Sequence, residues 1–261
     1  MFEPGFDQAA GLRAEAASAS PCLMPVASPA QPARAYEWLC TLAGELTAQG
    51  RAVAVVDANA SETPRAHPAP GLLQALQDPS VAGLEHASDG GDWLVMPGAQ
   101  GLRALRETAH AAGAENALTR LLAPFAPGVL VLLFASAFDL ADLLPGQRAR
   151  ALVPVLEQPQ SSIDAYGSVK LLHGAGLAPV LAPLASGAPA ALQTVVSTVA
   201  ETAQRHLGFK PETWPAASWA QRVQAGAIER PRLASANDSR LGLGPSAWQA
   251  GRARAAQPLW S

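Results

Sequence analysis

Cysteine is nearly absent. The two residues present, Cys22 and Cys40, have no CxxC spacing and are too few for a disulfide framework, so they are expected to be packed thiols in a reducing compartment. Aromatic residues make up 5% and charged residues 15% of the 261 positions. The hydrophobic content therefore rests on Ala, Leu and Val, a composition that suits helices packed on a buried sheet. No Lys/Arg run is dense enough for a basic patch, and a formal charge of −3 offers no general attraction for phosphate backbones, which argues against nucleic acid as a partner. No stretch approaches about 18 consecutive apolar residues. Glu3 and Asp7 stand where a signal peptide needs positive charge followed by an apolar run, so the expected location is the cytoplasm, without membrane contact. GxSxG, HExxH and paired-cysteine signatures are also missing, which leaves no catalytic constellation, metal site or cofactor site of the chain's own.

What the sequence does contain is alternation. Residues 6–17 can form a short helix with Asp7 near its N-cap, followed by a Pro/Ala/Ser-rich connector over 18–33 that holds one apolar stretch, residues 22–26. If that stretch is the first strand, it opens a strand–helix–strand unit, a reading Pro25 weakens because proline cannot donate to a central ladder. Over 34–49 the apolar residues Tyr36, Leu39, Leu42, Ala43 and Leu46 recur at helical spacing, and Gly50 stops the helix. Strands are expected at 53–56, 93–96, 129–134, 151–156 and 178–184, with helices at 101–112, 161–173 and 190–207 between and after them. This predicts a doubly wound, mostly parallel sheet with helices on both faces. The expected organisation is an N-terminal helix (1–17), a connector (18–33), an α/β domain (34–231) and a loosely ordered tail (232–261) rich in Gly, Pro, Ser, Ala and Arg.

Three segments, in the same order, resemble the FlhG/FleN flagellar number regulators, which belong to the deviant-P-loop MinD/ParA ATPases. Asp7-Gln8-Ala9-Ala10-Gly11-Leu12-Arg13 is similar to the family's N-terminal DQAxxLR activator motif. Residues 50–59, ending Val55-Val56-Asp57-Ala58-Asn59, resemble its GxxVLLVDAD stretch, and residues 157–170 resemble the PEPTSLTDAYALIK segment that follows the Walker B strand.

The departures fall on the nucleotide site. Counting back from Asp57, the family's GKGGVGKT loop aligns with Pro29-Ala30-Gln31-Pro32-Ala33-Arg34-Ala35-Tyr36. Both lysines become alanine, no glycine remains, two prolines remove N–H donors, and tyrosine takes the position of the magnesium ligand. At the Walker B position, Leu133-Phe134 replaces an acidic residue. The resemblance thus implies a pseudo-ATPase, monomeric because the family's dimer sandwiches nucleotide. It would present its N-terminal helix to an FlhF-like, signal-recognition-particle-type GTPase, with flagellar basal-body components as further partners. In that scheme Gln8 is supplied in trans to orient the attacking water, Asp7 caps the helix, Phe6 and Leu12 anchor its apolar face, and Arg13 meets the partner's acidic surface or phosphates. The alternatives are a working ATPase that switches membrane attachment and a non-catalytic flagellar scaffold. Asp57 reads as a strand-end carboxylate, Tyr166 and Lys170 as a packing and a solvent contact, and His173 and His206 as answers to helix C-termini.

Overall fold

A computed structural model describes residues 20–62, 70–78, 80, 93–185 and 189–229. The chain runs β1 (Cys22–Ser28), α1 (Pro32–Ala48), β2 (Val53–Asp57), α2 (Leu72–Gln77), β3 (Leu94–Pro97), α3 (Ala99–Ala112), α4 (Ala114–Leu122) and β4 (Leu130–Ser136). It continues through α5 (Ala137–Leu143), β5 (Arg150–Val155), α6 (Pro159–Gly174), β6 (Ala178–Pro183), α7 (Ala190–Leu207), β7 (Glu212–Thr213), α8 (Trp219–Gly226) and β8 (Ile228–Glu229). The sheet order is β3-β2-β4-β1-β5-β6-β7 with every neighbouring pair parallel, and β8 adds antiparallel to β1.

Strand residues alternate between two cores, as a sheet covered on both faces requires. Leu23 and Ala27 of β1, Ala54 and Val56 of β2, and Val131, Leu133 and Ala135 of β4 face the layer built by α2 to α7. Cys22, Met24, Val26, Val53, Val55, Leu130, Leu132 and Phe134 face the other layer, where α1 packs Ala35, Leu39, Leu42, Ala43 and Leu46, and α8 packs Trp219, Ala220 and Val223. The helical spacing read over 34–49 therefore selects the residues that α1 buries. Burying each such leucine stabilises the fold by about 1.5–3 kcal/mol before chain entropy is subtracted.

The 18–33 connector is a correction. Residues 22–28 form β1, which pairs with β4 over its whole length, from Cys22 opposite Leu130 to Ser28 opposite Ser136, and the helix begins at Pro32 rather than residue 34. Pro25 is tolerated because of where its missing N–H points. The Cys22 N–H donates to Val129 on the β4 side, so the period of two turns the Pro25 nitrogen to the opposite side. On that side β1 meets β8 at Cys22 and Leu23 and meets β5 only at Val26, so the proline sits where the partner strand changes. Residues 1–17 and 232–261, assigned above to an N-terminal helix and a tail, lie outside the described residues.

Three helices, α2, α4 and α8, were not expected from the sequence. Glu62 ties α2 to α3: its carboxylate accepts from the Leu73 N–H at 2.7 Å and from the Gly101 N–H at 2.6 Å, satisfying one first-turn donor of each helix. A Cβ on Gly101 would lie 2.6 Å from the Leu72 side chain, which is why the α2–α3 contact takes glycine there. Glu62→Ala should lower stability by about 1–2 kcal/mol in urea unfolding, through loss of both caps. Leu132→Ala, in the core under α1, should cost about 2–5 kcal/mol in the same assay. A chain starting at residue 34 should show no cooperative transition, because it lacks a strand flanked on both sides.

Candidate functional site

In a doubly wound sheet, ligands bind beyond the C-terminal ends of the strands where neighbouring strands send their helices to opposite faces. Here that position lies between β1 and β4: α1 joins the layer containing Phe134, while α5 joins the layer containing Leu133. The β1–α1 connection is a turn of three residues, Pro29, Ala30 and Gln31. Gln31, the N-cap, makes no side-chain capping bond, and proline opens the helix. A phosphate nest needs several successive N–H groups curled around one anion. This turn is too short to encircle a phosphate, and Pro29 removes one donor from it.

The side chains around the crevice satisfy one another. Tyr36, one turn into α1, packs its ring against Phe134 at the end of β4, with centroids 6.0 Å apart and planes at 49°. Cys40 follows one helical turn on, close enough for the two groups to influence each other's titration. Burial, followed by the nearby Cys40 and Asp57 charges, pushes the Tyr36 phenol up to about 12. Burial also raises the Cys40 thiol, with Asp57 adding to the effect, which keeps it a poor nucleophile. Asp57, at the end of β2, spends one carboxylate oxygen on its own turn, accepting from the Asn59 backbone N–H at 3.0 Å and side-chain amide at 3.2 Å. The strand-end reading of Asp57 describes these bonds. Ser136 caps α5 by accepting from the Asp139 N–H at 3.1 Å, while its hydroxyl donates to the Asp139 carboxylate at 2.6 Å.

A McdA variant from Cyanothece in complex with ATP aligns with 81% of this chain and 90% of its own, at 14% identity and a TM-score of 0.50. The fold is of the MinD/ParA type. The MinC:MinD cell division complex of Aquifex aeolicus matches at 12% identity, 78% of this chain, 85% of that one and a TM-score of 0.40. A ParA family ATPase from Chlorobium tepidum matches at 12%, 80%, 90% and 0.42 respectively. No protein-family model matches the sequence. No curated protein matches it.

Within this MinD/ParA-type fold, the sequence-derived positions distribute unevenly. Phe6, Asp7, Gln8, Leu12 and Arg13 lie outside the described residues. Tyr36, Asp57 and Phe134 come together at the crevice, whereas Arg34 lines an open cleft of about 900 Å3 between α1 and α8 with Trp38, Leu156, Leu184 and Trp219. There Trp38 meets Trp219 edge-on, with centroids 4.4 Å apart. This cleft has no local signature, because Trp38 and Trp219 are about 180 residues apart in the chain and only the shared core brings α1 and α8 together. His173 lies in the last turn of α6 and also stacks on Phe209, with ring centroids 4.0 Å apart. Among the described residues there is no group of three or more potential metal ligands, and no helix is long and apolar enough to cross a membrane.

Tyr36 gives the site a testable signature. Because its folded-state value lies above the ordinary 10.0, folding holds its proton. The stabilisation is fully present below the ordinary value and is lost as pH rises toward about 12. A tyrosinate absorbance titration should therefore contain a late step that Tyr36→Phe removes, and the loss of stability across that window should shrink in the same variant.

Proposed function

We propose that this chain is a regulatory pseudo-ATPase: a MinD/ParA-type body that does not use nucleotide and serves to position an N-terminal activator segment against a partner GTPase. The observation that carries the first half is the glycine-free, three-residue turn between β1 and α1. The McdA structure with this fold holds ATP. Transferring that property to this chain would require a ring of phosphate donors and a magnesium ligand. The turn offers neither, and Tyr36 and Phe134 bring an aromatic contact to the place where the ionic one would form. This weighs against the alternative of a working ATPase.

The second half rests on the resemblance of residues 7–13 to the activator motif of flagellar number regulators. An FlhF-like GTPase is the partner this implies, and Gln8 is the residue that would enter its site. A glutamine amide can accept from the attacking water and donate toward phosphate, so it orients the nucleophile without any pKa adjustment. Leu12 and Phe6 would anchor the segment, with Asp7 and Arg13 supplying the cap and the charged contact. The body then supplies recognition, for which the Trp38–Trp219 cleft beside α1 offers an aromatic surface. A scaffold without activator function is the remaining alternative.

Two measurements test the two halves separately. Calorimetry with ATP should give no magnesium-dependent saturable heat; a magnesium-dependent dissociation constant below about 100 µM, roughly −5.5 kcal/mol, would overturn the pseudo-ATPase reading. For the activator, partner GTP turnover is followed against concentration of this protein. Gln8→Ala should abolish most of the stimulation while leaving binding nearly intact, since a contact made in the transition state adds little ground-state affinity. Leu12→Ala should weaken binding by about 1–3 kcal/mol, with stimulation recovering at high concentration. Full stimulation by Gln8→Ala at saturation would reduce the segment to a docking element.

A further inference from the structure

A second concavity lies at the opposite end of the sheet, where β5 and β6 begin. It encloses about 450 Å3 over an apolar floor that includes Leu177 and Pro179. Three cations from two segments surround it: Arg148 just before β5 and Arg150 at its first position, and Lys210 between α7 and β7. All three are exposed. Glu212 is the one carboxylate on the lining, and Arg150 reaches it at 3.5 Å with both side chains open to solvent, a kind of pair that contributes little. Glu212 also accepts from the Trp214 indole N–H at 3.0 Å. Among the described residues, Arg148 and Lys210 have no carboxylate partner. A smaller cleft of about 230 Å3 shares Arg148 and Arg150, so these two residues border both hollows.

This arrangement concentrates positive charge in a chain whose net charge is −3. Cations around a hollow with low-dielectric walls focus the field into it, and a guanidinium fork matches the spacing of phosphate oxygens. His173 and Phe209 line the same hollow, stacked with centroids 4.0 Å apart and planes at 15°. We propose that this hollow is a binding site for a phosphate monoester carrying a planar or apolar group, with the phosphate held by Arg148, Arg150 and Lys210 and the planar group against the His173–Phe209 pair. The concavity favours a small molecule: a membrane surface or a nucleic-acid backbone would span the rim cations without filling the floor. The site is remote from the β1–α1 turn and needs no metal, so it stands independently of the function proposed above.

The test is calorimetry on the full chain in EDTA, with phenyl phosphate and inorganic phosphate as probes. Both should bind saturably, phenyl phosphate by about tenfold more tightly because its ring leaves water. Replacing two rim cations, Arg148→Gln with Lys210→Gln, should weaken both probes by about tenfold or more, since it removes most of the unpaired charge. His173→Ala should reduce the preference for phenyl phosphate and leave inorganic phosphate nearly unchanged. Arg34→Gln, in the cleft at the other end of the sheet, should alter neither. Near-ultraviolet circular dichroism checks that each variant keeps its packing. Absence of saturable heat, a double variant that binds like wild type, or loss of binding in Arg34→Gln would overturn the assignment. So would binding confined to phosphatidylglycerol vesicles or duplex DNA, which would make the cations part of an extended surface. Equal affinity for the two probes would overturn the aromatic half.

Discussion

The central strand β1 is closed in from four directions. β4 lies along one edge over its full length, β8 and then β5 lie along the other, and helical layers cover both faces. Residues 22–27 are accordingly buried, and each must be apolar or have its backbone donor accounted for. Proline is compatible with this position only because its nitrogen faces the gap where one partner strand ends and the next begins. The rest of the architecture follows from the strand's register. Pairing Ser28 with Ser136 places the start of α1 beside the end of β4, and so brings Tyr36 against Phe134.

At that junction, polar groups are consumed by local partners. Asp57 accepts from Asn59, and Ser136 exchanges bonds with Asp139. A nucleotide site works in the opposite way, holding donors and charges unsatisfied until the ligand arrives, with glycine letting the backbone approach. The raised Tyr36 and Cys40 values express the same closure: burial and a neighbouring carboxylate keep both groups neutral, so neither contributes charge at ordinary pH. A crevice of this kind can transmit shape from α1 to β4, but it has little with which to hold a polyphosphate.

The two ends of the sheet are therefore electrostatically distinct. The C-terminal end carries an aromatic pair and self-satisfied carboxylates, flanked by the tryptophan-lined cleft that α1 shares with α8. The N-terminal end carries cations around a hollow and little acid to balance them. Between them, the apolar interior separates the two by the length of the strands, so charge at one end has little direct hold on the other. Any coupling has to pass through packing, and Trp38 of α1 against Trp219 of α8 is one such contact.

Sequence alone determined the layered α/β class and most of its strands, because a parallel strand buried on both faces must read as a continuous apolar run and an amphipathic helix must repeat its apolar residues every three to four positions. It also determined that the turn after residue 28 contains no glycine and no lysine. Tertiary structure decided what depends on neighbours distant in the chain. Residues 22–28 read as a connector because proline and short length weakened the local signal, and only pairing with a strand more than 100 residues away makes them the sheet's centre. The helices α2 and α4 are six and nine residues long, too short for their periodicity to stand out, and α2 is fixed by Glu62 and by packing on Gly101. The cation-lined hollow was invisible for the same reason. Arg148, Arg150 and Lys210 form no run in the sequence, and they meet because β5, β6 and β7 lie side by side, bringing the start of β5 next to the segment that leads into β7.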